Sequence, residues 1–172
     1  MSDGKKFFGK YRGTVVNNVD PEQRGRIQVM VPDVSGFALT SWALPALPIG
    51  GLQMGLFSVP TIGSGVWVEF EQGDIDYPIW VGVYWGSAAE VPALSHLIPP
   101  GVPGFAMQTV LQNGIVVSDV PGPTGGIMLV STTTGAMILI NDLGITISNG
   151  QGATIQMTGP SVVINEGALT VI

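Results

Sequence analysis

The stretch Gly135–Ile147, GAMILINDLGITI, decides the fold of the C-terminal half of the chain. It is dense in β-branched and aliphatic residues, carries a single charge at Asp142 and lacks proline, which is close to the composition of a fibril-forming segment. No Lys or Arg occurs from Ile27 to Ile172, so the cations that usually protect exposed strand edges are missing there. A soluble fold must therefore cover these strands by other means.

The segment around this stretch, from Gly126 to Ile172, is a degenerate repeat in which each unit predicts one strand and one turn. Its glycines recur at intervals of seven to nine residues, at Gly126, Gly135, Gly144, Gly152, Gly159 and Gly167. In the later units aliphatic residues alternate with hydroxyl and amide residues, as Ile145 and Ile147 alternate with Thr146 and Ser148. This period of two predicts strands with one aliphatic face and one polar face.

The repeat is too short to close on itself within one chain. A single-chain β-solenoid needs about twenty residues per coil and about three coils to bury a continuous core, and this segment supplies little more than two coils. Three intertwined copies would form a triangular prism, in which each chain provides one wall, the aliphatic faces meet on the axis and the lateral strand edges pair between chains. The sequence therefore predicts a homotrimeric β-helix, or β-prism. The side chains expected on the trimer axis are Ile138, Ile140, Ile145, Ile147, Ile155, Met157, Val162 and Ile164.

The N-terminal half predicts a different all-β unit. Short candidate strands alternate with Gly- and Pro-rich turns. They are Gly9–Asn18, Arg26–Val31, Ser41–Leu47, Leu56–Val59, Val66–Phe70 and Ile79–Tyr84. So many short strands in under ninety residues favour a small closed barrel. An OB-type Greek-key barrel fits this count and size, and an SH3-like barrel stays open as an alternative because strand counting does not separate the two.

These patterns divide the chain into four parts. Residues 1–8 form a basic segment, 9–87 the barrel, 88–104 a Pro-rich linker, and 105–172 a strand-rich region that ends in the repeat at 126–172. Four prolines and the lack of a strand pattern in Ser87–Gly104 favour a stiff connector. Asn113-Gly114 between apolar flanks predicts a hairpin turn after the linker.

Composition and charge exclude several classes of protein. Only 10% of the 172 residues are charged, against about 25% in ordinary globular proteins. The six basic residues all lie in the first 26 positions, and the remainder carries nine carboxylates, so a nucleic-acid surface is not expected there. There are no cysteines, and no run has the length and polarity of a signal peptide or a membrane span. We expect a soluble protein made in the cytoplasm without Sec export.

Three motifs of the barrel carry a family resemblance. They are GKYRGTVVNNVDPEQRGRIQVMVPDV at 9–34, WALPALP at 42–48 and GSGVWVEFEQGDIDYPIWVGVYWG at 63–86. In this order they resemble the OB-fold domain of the central-spike proteins of contractile injection machines, which include phage baseplate assembly protein V and the valine-glycine-repeat spikes of type VI secretion. The short glycine repeat behind the barrel is similar to the β-helix of the same family.

The resemblance implies a trimeric spike that sits on a baseplate hub and is driven into a target cell envelope when the sheath contracts. Some family members insert a muramidase domain, but the interval Ser87–Gly125 is too short for one. Others end in a histidine pair that binds iron at the apex, whereas the one histidine of this chain, His96, lies in the linker. Compared with the family it resembles, the chain is therefore expected to carry no metal or cofactor on the spike, and the resemblance implies a separate tip protein.

Two sets of residues are candidates for docking. The basic cluster Lys5, Lys6, Lys10 and Arg12 is expected to bind the hub, with a plain solvated face as the alternative. The residues Leu169, Val171 and Ile172 would form an apolar platform at the far end of the prism, where a small PAAR-like tip protein would bind.

Candidates for chemistry are weak. Glu69, Glu71, Asp74 and Asp76 could serve glycoside hydrolysis or calcium binding. A solvated strand face explains them better, because no second ligand cluster or substrate-binding aromatic set accompanies them. The four tryptophans could stack bases, yet core and packing positions in a barrel explain them better, because no cation follows Arg26. We expect a structural protein of a virion or contractile injection particle and no enzymatic activity. The alternative function is an OB-fold nucleic-acid or oligosaccharide binder with an oligomerising β-tail.

Overall fold

The computed structural model describes residues 5–171, with side chains to residue 169, and shows an all-β chain. The one α-helix among these residues, α1 at Pro32–Ser35, has four residues. The chain forms two compact units that divide between Glu90 and Val91, and we call them the barrel unit and the tail unit. None of the helices in the described part of the chain is long and apolar enough to cross a membrane.

The barrel unit is a curled sheet whose two ends meet. Its strands are β1 (Tyr11–Asn17), β2 (Gln28–Met30), β3 (Leu44–Pro45), β4 (Gly50–Gly51), β5 (Met54–Gly55), β6 (Gly65–Phe70) and β7 (Pro78–Tyr84). The main sheet has the order β2-β1-β6-β7-β3, and β4 pairs with β5 in a separate hairpin. An antiparallel bridge between Ile27 and Ala43 links the β2 end of the sheet to the β3 end, which closes the barrel.

The barrel has a core of its own because its strands alternate strictly. In β6 the side chains of Val66, Val68 and Phe70 are buried, while those between them face outward. Five valines, one isoleucine and one alanine are at most 1% exposed. They are Val15, Val29, Val31, Val66, Val68, Ile27 and Ala43, and Trp80 and Phe70 complete the cluster.

The strand expected at Leu56–Val59 is wrong. The regular pairing lies just before it, in the hairpin of β4 and β5, where Gln53 takes the left-handed turn position with φ of 56°. Glycines allow this tight hairpin, since a Cβ on Gly55 would lie 2.9 Å from the carbonyl oxygen of Ile49. The residues that follow have no strand partner and lead to Pro60, which cannot donate a backbone hydrogen bond.

The tail unit is one antiparallel meander. Its eight strands are β8 (Gly104–Gln108), β9 (Asn113–Ser118), β10 (Gly126–Ser131), β11 (Ala136–Asn141), β12 (Gly144–Ser148), β13 (Thr154–Thr158), β14 (Ser161–Ile164) and β15 (Leu169–Val171). Each strand pairs with the next one along the chain. The six repeat glycines all have positive φ, and a strand begins at or within two residues of each. The prediction of one strand and one turn per repeat unit is confirmed.

Pairing within the chain corrects one expectation about the tail. Every strand from β9 to β14 is hydrogen-bonded on both sides to strands of the same chain, so their lateral edges do not pair between chains. The repeat has turns short enough for hairpins, which makes the local partner cheaper in entropy than a distant one. The surface left uncovered is therefore a face of the sheet.

The start of the tail unit is more structured than a bare connector. Within residues 91–104 the chain forms a 3₁₀ turn at Ala93–Leu97, and Leu94 is buried against β8 and β9. A hairpin does join β8 and β9, but its turn spans Thr109–Gln112, and Asn113-Gly114 lies in β9. Gly114 is needed there, because a Cβ would lie 2.5 Å from the backbone carbonyl oxygen of Met107.

Candidate interaction surfaces

One face of the tail sheet is aliphatic from the first strand to the last. The antiparallel register aligns its side chains in two columns across the strands. The first column is Met107, Ile115, Leu129, Ile138, Ile147, Ile155, Ile164 and Leu169. The second is Phe105, Val117, Ile127, Ile140, Ile145, Met157 and Val162. We call these two columns the aliphatic face.

The aliphatic face contains all eight residues that the sequence places on a trimer axis. The structure brings them to one side of the sheet, and several are far from buried within the single chain: Ile138, Ile147 and Ile155 are 38–39% exposed. A contiguous apolar patch of this extent is unusual on a monomeric protein and marks an interaction surface.

The opposite face changes character along the sheet. On β12 and β13 it presents Thr146, Ser148, Gln156 and Thr158, in keeping with the polar face that the alternation predicts. On β9, near the start of the sheet, it presents the buried residues Val116 and Ser118 instead. Only the aliphatic face is apolar along the whole sheet, so it is the better candidate for a contact with other chains.

The tip-docking candidates lie partly outside the described residues. Leu169 belongs to the aliphatic face, pairs with Ile164 and is 55% exposed. The backbone of Val171 pairs with Val162 in β15. The side chain of Val171 and all of Ile172 lie outside the described residues.

The basic cluster is engaged with the barrel's own surface. Lys6 Nζ lies 3.7 Å from Asp74 Oδ2, and Lys10 Nζ lies 2.5 Å from Glu69 Oε1. The Arg12 guanidinium sits over two rings, 5.6 Å from the centroid of Trp67 and 5.4 Å from that of Tyr84. Lys5 lies 5.1 Å from the ring centroid of Phe7.

These ion pairs also account for two of the four carboxylates that were candidates for chemistry. Glu69 and Asp74 face lysines, and Glu71 begins a 3₁₀ turn. Among the described residues there is no group of three or more His, Cys, Asp or Glu that could hold a metal ion. His96 lies in the 3₁₀ turn at the start of the tail unit, whereas these carboxylates belong to the barrel unit.

The strongest polar constellation was not identified from the sequence as a unit. The buried carboxylate of Asp20 accepts hydrogen bonds from the backbone N–H groups of Glu22, Arg24 and Arg26. It also accepts from the guanidinium of Arg26, with Nη2 at 2.6 Å. These donors hold the pKa of Asp20 well below its usual range, the Arg26 side chain being the largest cause, and the same pair raises the pKa of Arg26.

This constellation explains the motif DPEQRGR physically. Asp20 at its start and Arg26 at its end close the turn between β1 and β2, and the Arg26 guanidinium lies 5.5 Å from the ring centroid of Trp42. The buried Trp80 donates from Nε1 to the carbonyl oxygen of Gly25, at 3.1 Å. Asp20 and Arg26 of the motif thus stabilise the turn between β1 and β2 of the barrel. The spacing of Asp and Arg around a Pro-Gly turn was the signal that could have found them.

The tryptophans do not form a base-stacking row. Trp80 belongs to the core, Trp42 is stacked by Arg26, and Trp67 packs on Tyr84 with ring centroids 5.0 Å apart. Trp85 is 58% exposed at the end of β7. Packing within the barrel accounts for three of the four.

Comparison with known families agrees with both units. The family model described as the type VI secretion system/phage-baseplate injector OB domain matches residues 11–85. The model described as the phage baseplate V C-terminal trimerisation domain matches residues 104–170. A search of curated proteins found no match to the chain. The barrel is therefore of the OB type, and the chain belongs to the phage baseplate V family of structural baseplate and spike proteins.

Proposed function

We propose that three copies of this chain form the central spike of a contractile tail or injection machine, which is driven through a target cell envelope when the sheath contracts. The observation that carries the proposal is the aliphatic face, which is uncovered in a single chain and lies in a domain matched to a trimerisation model. Family membership makes the chain a structural component of a baseplate. The piercing role is the step that we add.

The tail sheet suits a part that bears load. Its eight strands are hydrogen-bonded in sequence, so at about 4.8 Å per strand the ladder spans roughly 35 Å. Three such sheets with their aliphatic faces inward would bury a continuous column of Ile, Leu, Val and Met side chains on the axis. Cores packed to crystal-like density have low compressibility, so the assembly would transmit an axial push without collapsing.

Seating on a hub is assigned to the basic cluster of Lys5, Lys6, Lys10 and Arg12. The side chains of Lys6 and Lys10 are 49% and 58% exposed to solvent, although each faces a carboxylate. A trimer would present this cluster three times, and an acidic hub surface could exchange partners with Glu69 and Asp74. Such a contact would weaken as salt rises.

The far end of the tail is assigned to a separate tip protein of the PAAR-like kind. Among the described strands, β15 pairs with β14, and Leu169 extends the aliphatic column to that strand. A tip that continues the sheet would add its own strand to β15 and cover Leu169. We place the docking residues at Leu169, Val171 and Ile172.

Imaging of the source particles tests the proposed function directly. Particles from the source would be imaged by cryo-electron microscopy with an antibody fragment against the barrel unit. The expected result is label on the axis of a contractile tail at the baseplate, with threefold symmetry. Label on the sheath or tube, or a soluble pool of the protein without particles, would contradict the proposal.

A further inference from the structure

A second apolar surface lies on the barrel unit, on the segment of residues 46–62 between β3 and β6. We call it the apolar loop. Leu52 is 96% exposed, Phe57 68% and Met54 64%, and Ile49 and Leu56 are also more than half exposed. These side chains are adjacent in sequence on a single hairpin and its exit. Scattered apolar residues on a surface need no explanation, but a cluster of large ones does.

The apolar loop has a defined backbone conformation. Gly50 pairs with Gly55 and Gly51 with Met54 in the hairpin, and the N–H of Leu56 donates to the carbonyl oxygen of Ile49 at 3.2 Å. At its base, the ring of Phe57 lies against Gly25 of the Asp20 turn, where a Cβ would be 3.6 Å away. The side chains are thus held out by a defined backbone, which lowers the entropy cost of binding.

The loop lies in a stretch that has no charge at all. From Val34 to Val68 the sequence contains no Asp, Glu, Lys or Arg, whereas the whole chain has a net charge of −6. Copies of an acidic protein repel one another over most of their surface, and an uncharged surface lets them meet without opposing like charges. The composition therefore fits contact with another copy of the same chain better than contact with a charged partner.

Trimerisation of the tail supplies that second copy. The trimerisation domain starts at residue 104, and the barrel domain ends at residue 85, so fewer than twenty residues tether each barrel to the trimer. A short tether gives an effective concentration of about millimolar for the other two barrels. At such a concentration even a weak apolar contact between the barrels of one trimer would form.

We propose that the apolar loops of the three barrels in one trimer pack against one another and form a homotypic contact separate from the tail. This contact would bury Leu52, Met54 and Phe57, which nothing else in the described chain covers. Obligate interfaces between identical chains are characteristically more apolar than transient interfaces. The apolar loop has this apolar character.

Thiol labelling in the full-length protein tests the contact, because the chain has no cysteine of its own. Leu52→Cys would be compared with Phe37→Cys, which is 88% exposed and lies in the same uncharged stretch but outside the loop. In the trimer, a maleimide should label Leu52→Cys about tenfold more slowly than Phe37→Cys, since burial between copies denies access to the thiol. A short bis-maleimide should link pairs of chains through Leu52→Cys and not through Phe37→Cys.

A second arm removes the tether. Adding Ile147→Arg, which is designed to dissociate the tail, should bring the two labelling rates together while tryptophan fluorescence shows that the barrel stays folded. Equal rates in the intact trimer would overturn the proposal, and so would protection of Leu52→Cys that persists after dissociation. Free labelling in the trimer that becomes slow only when hub protein is added would assign the loop to the hub. All three outcomes leave the proposed spike function intact.

Discussion

The two units of this chain differ in how they bury the apolar faces of their strands. The barrel curls five short strands until the sheet meets itself, and the five valines of its core and Ile27 become almost inaccessible within one chain. The tail lays eight strands side by side in an open meander, and among its described large apolar residues only Leu94 and Val116 are buried. The barrel thus completes its core within one chain, whereas the tail leaves an apolar face exposed within one chain.

The difference lies in how each sequence uses alternation. In the barrel, one face of each strand is apolar and sheet curvature places that face inside. In the tail, the aliphatic face runs without a break over eight strands of a sheet that stays open, so much of it is left exposed within one chain. Fully burying a Leu or Ile side chain is worth about 1.5–3 kcal/mol, so a trimer that buries the aliphatic face would gain on the order of 1 kcal/mol from each of Ile138 and its neighbours, which are about 40% exposed.

The largest effect should come from placing a charge on the aliphatic face. Ile147→Arg would bring three guanidinium groups together in an apolar interior, at an effective cost of several kcal/mol per ion. We expect the trimer to be lost, with mass by multi-angle light scattering falling toward the 17.9 kDa of one chain. Thr146→Arg is the matched control, because Thr146 is adjacent in β12 and points to the opposite face.

The control decides whether the face assignment is correct. Thr146→Arg should keep the trimer mass and most of the thermal stability. Equal loss of the trimer in both variants would mean that the two faces are not distinguished, and the axis would have to be reassigned.

The barrel should behave in the converse way when its core is cut. Ile27 is fully buried, and truncation to Ala should cost about 2–5 kcal/mol of unfolding free energy through lost burial and a cavity. All four tryptophans lie in the barrel unit, so tryptophan fluorescence in urea follows this unit alone. Mass in native buffer should still be that of a trimer. A loss of the trimer in Ile27→Ala would break the comparison, because the tail would then depend on the barrel.

A pH series sharpens the barrel side. The depressed pKa of Asp20 means that its contribution to stability is fully present above the unfolded pKa, about 4, and is lost as pH falls toward the folded pKa. Between about pH 5 and pH 2, the urea midpoint of the barrel should therefore fall less steeply in Asp20→Asn than in the wild type. Asp33→Asn removes the same charge from an exposed position and should keep the wild-type slope. Parallel slopes for wild type and Asp20→Asn would show that the Arg26 pair carries no pH dependence.

The features predictable from the sequence were those set by local rules. The glycine spacing predicted the turns, because positive φ at Gly126 or Gly144 is a property of a few adjacent residues. Period-two alternation predicted which side chains share a face of the tail. Family membership then supported the trimer, which no single-chain pattern can prove.

What could not be predicted depends on distant partners. The barrel closes through the bridge between Ile27 and Ala43, a pairing that no local pattern specifies, although the predicted strand Ser41–Leu47 does contain β3. Lys10 meets Glu69 across 59 positions, so the basic cluster looked free in the sequence. The hairpin of β4 and β5 was missed because its strands are built from Gly and Met, and the aliphatic run after it was mistaken for the strand.

The smallest effect on stability should come from that lysine pair, and it bears on how the barrel end docks. Lys10 and Glu69 are 58% and 37% exposed in their side chains, and exposed pairs contribute about 0–1 kcal/mol. Lys10→Glu should thus barely move the urea midpoint of the barrel.

The double exchange Lys10→Glu with Glu69→Lys restores the pair with its polarity reversed, which separates two roles of the lysine. If Lys10 docks an acidic hub surface, hub affinity at low salt should fall in both the single and the double variant, because the local position of the positive charge has moved. If the pair only fastens the barrel surface, the double exchange should recover the affinity that the single change loses. Titration of the hub against each trimer at low and moderate salt distinguishes these results, and unchanged affinity in both variants would remove Lys10 from the docking set.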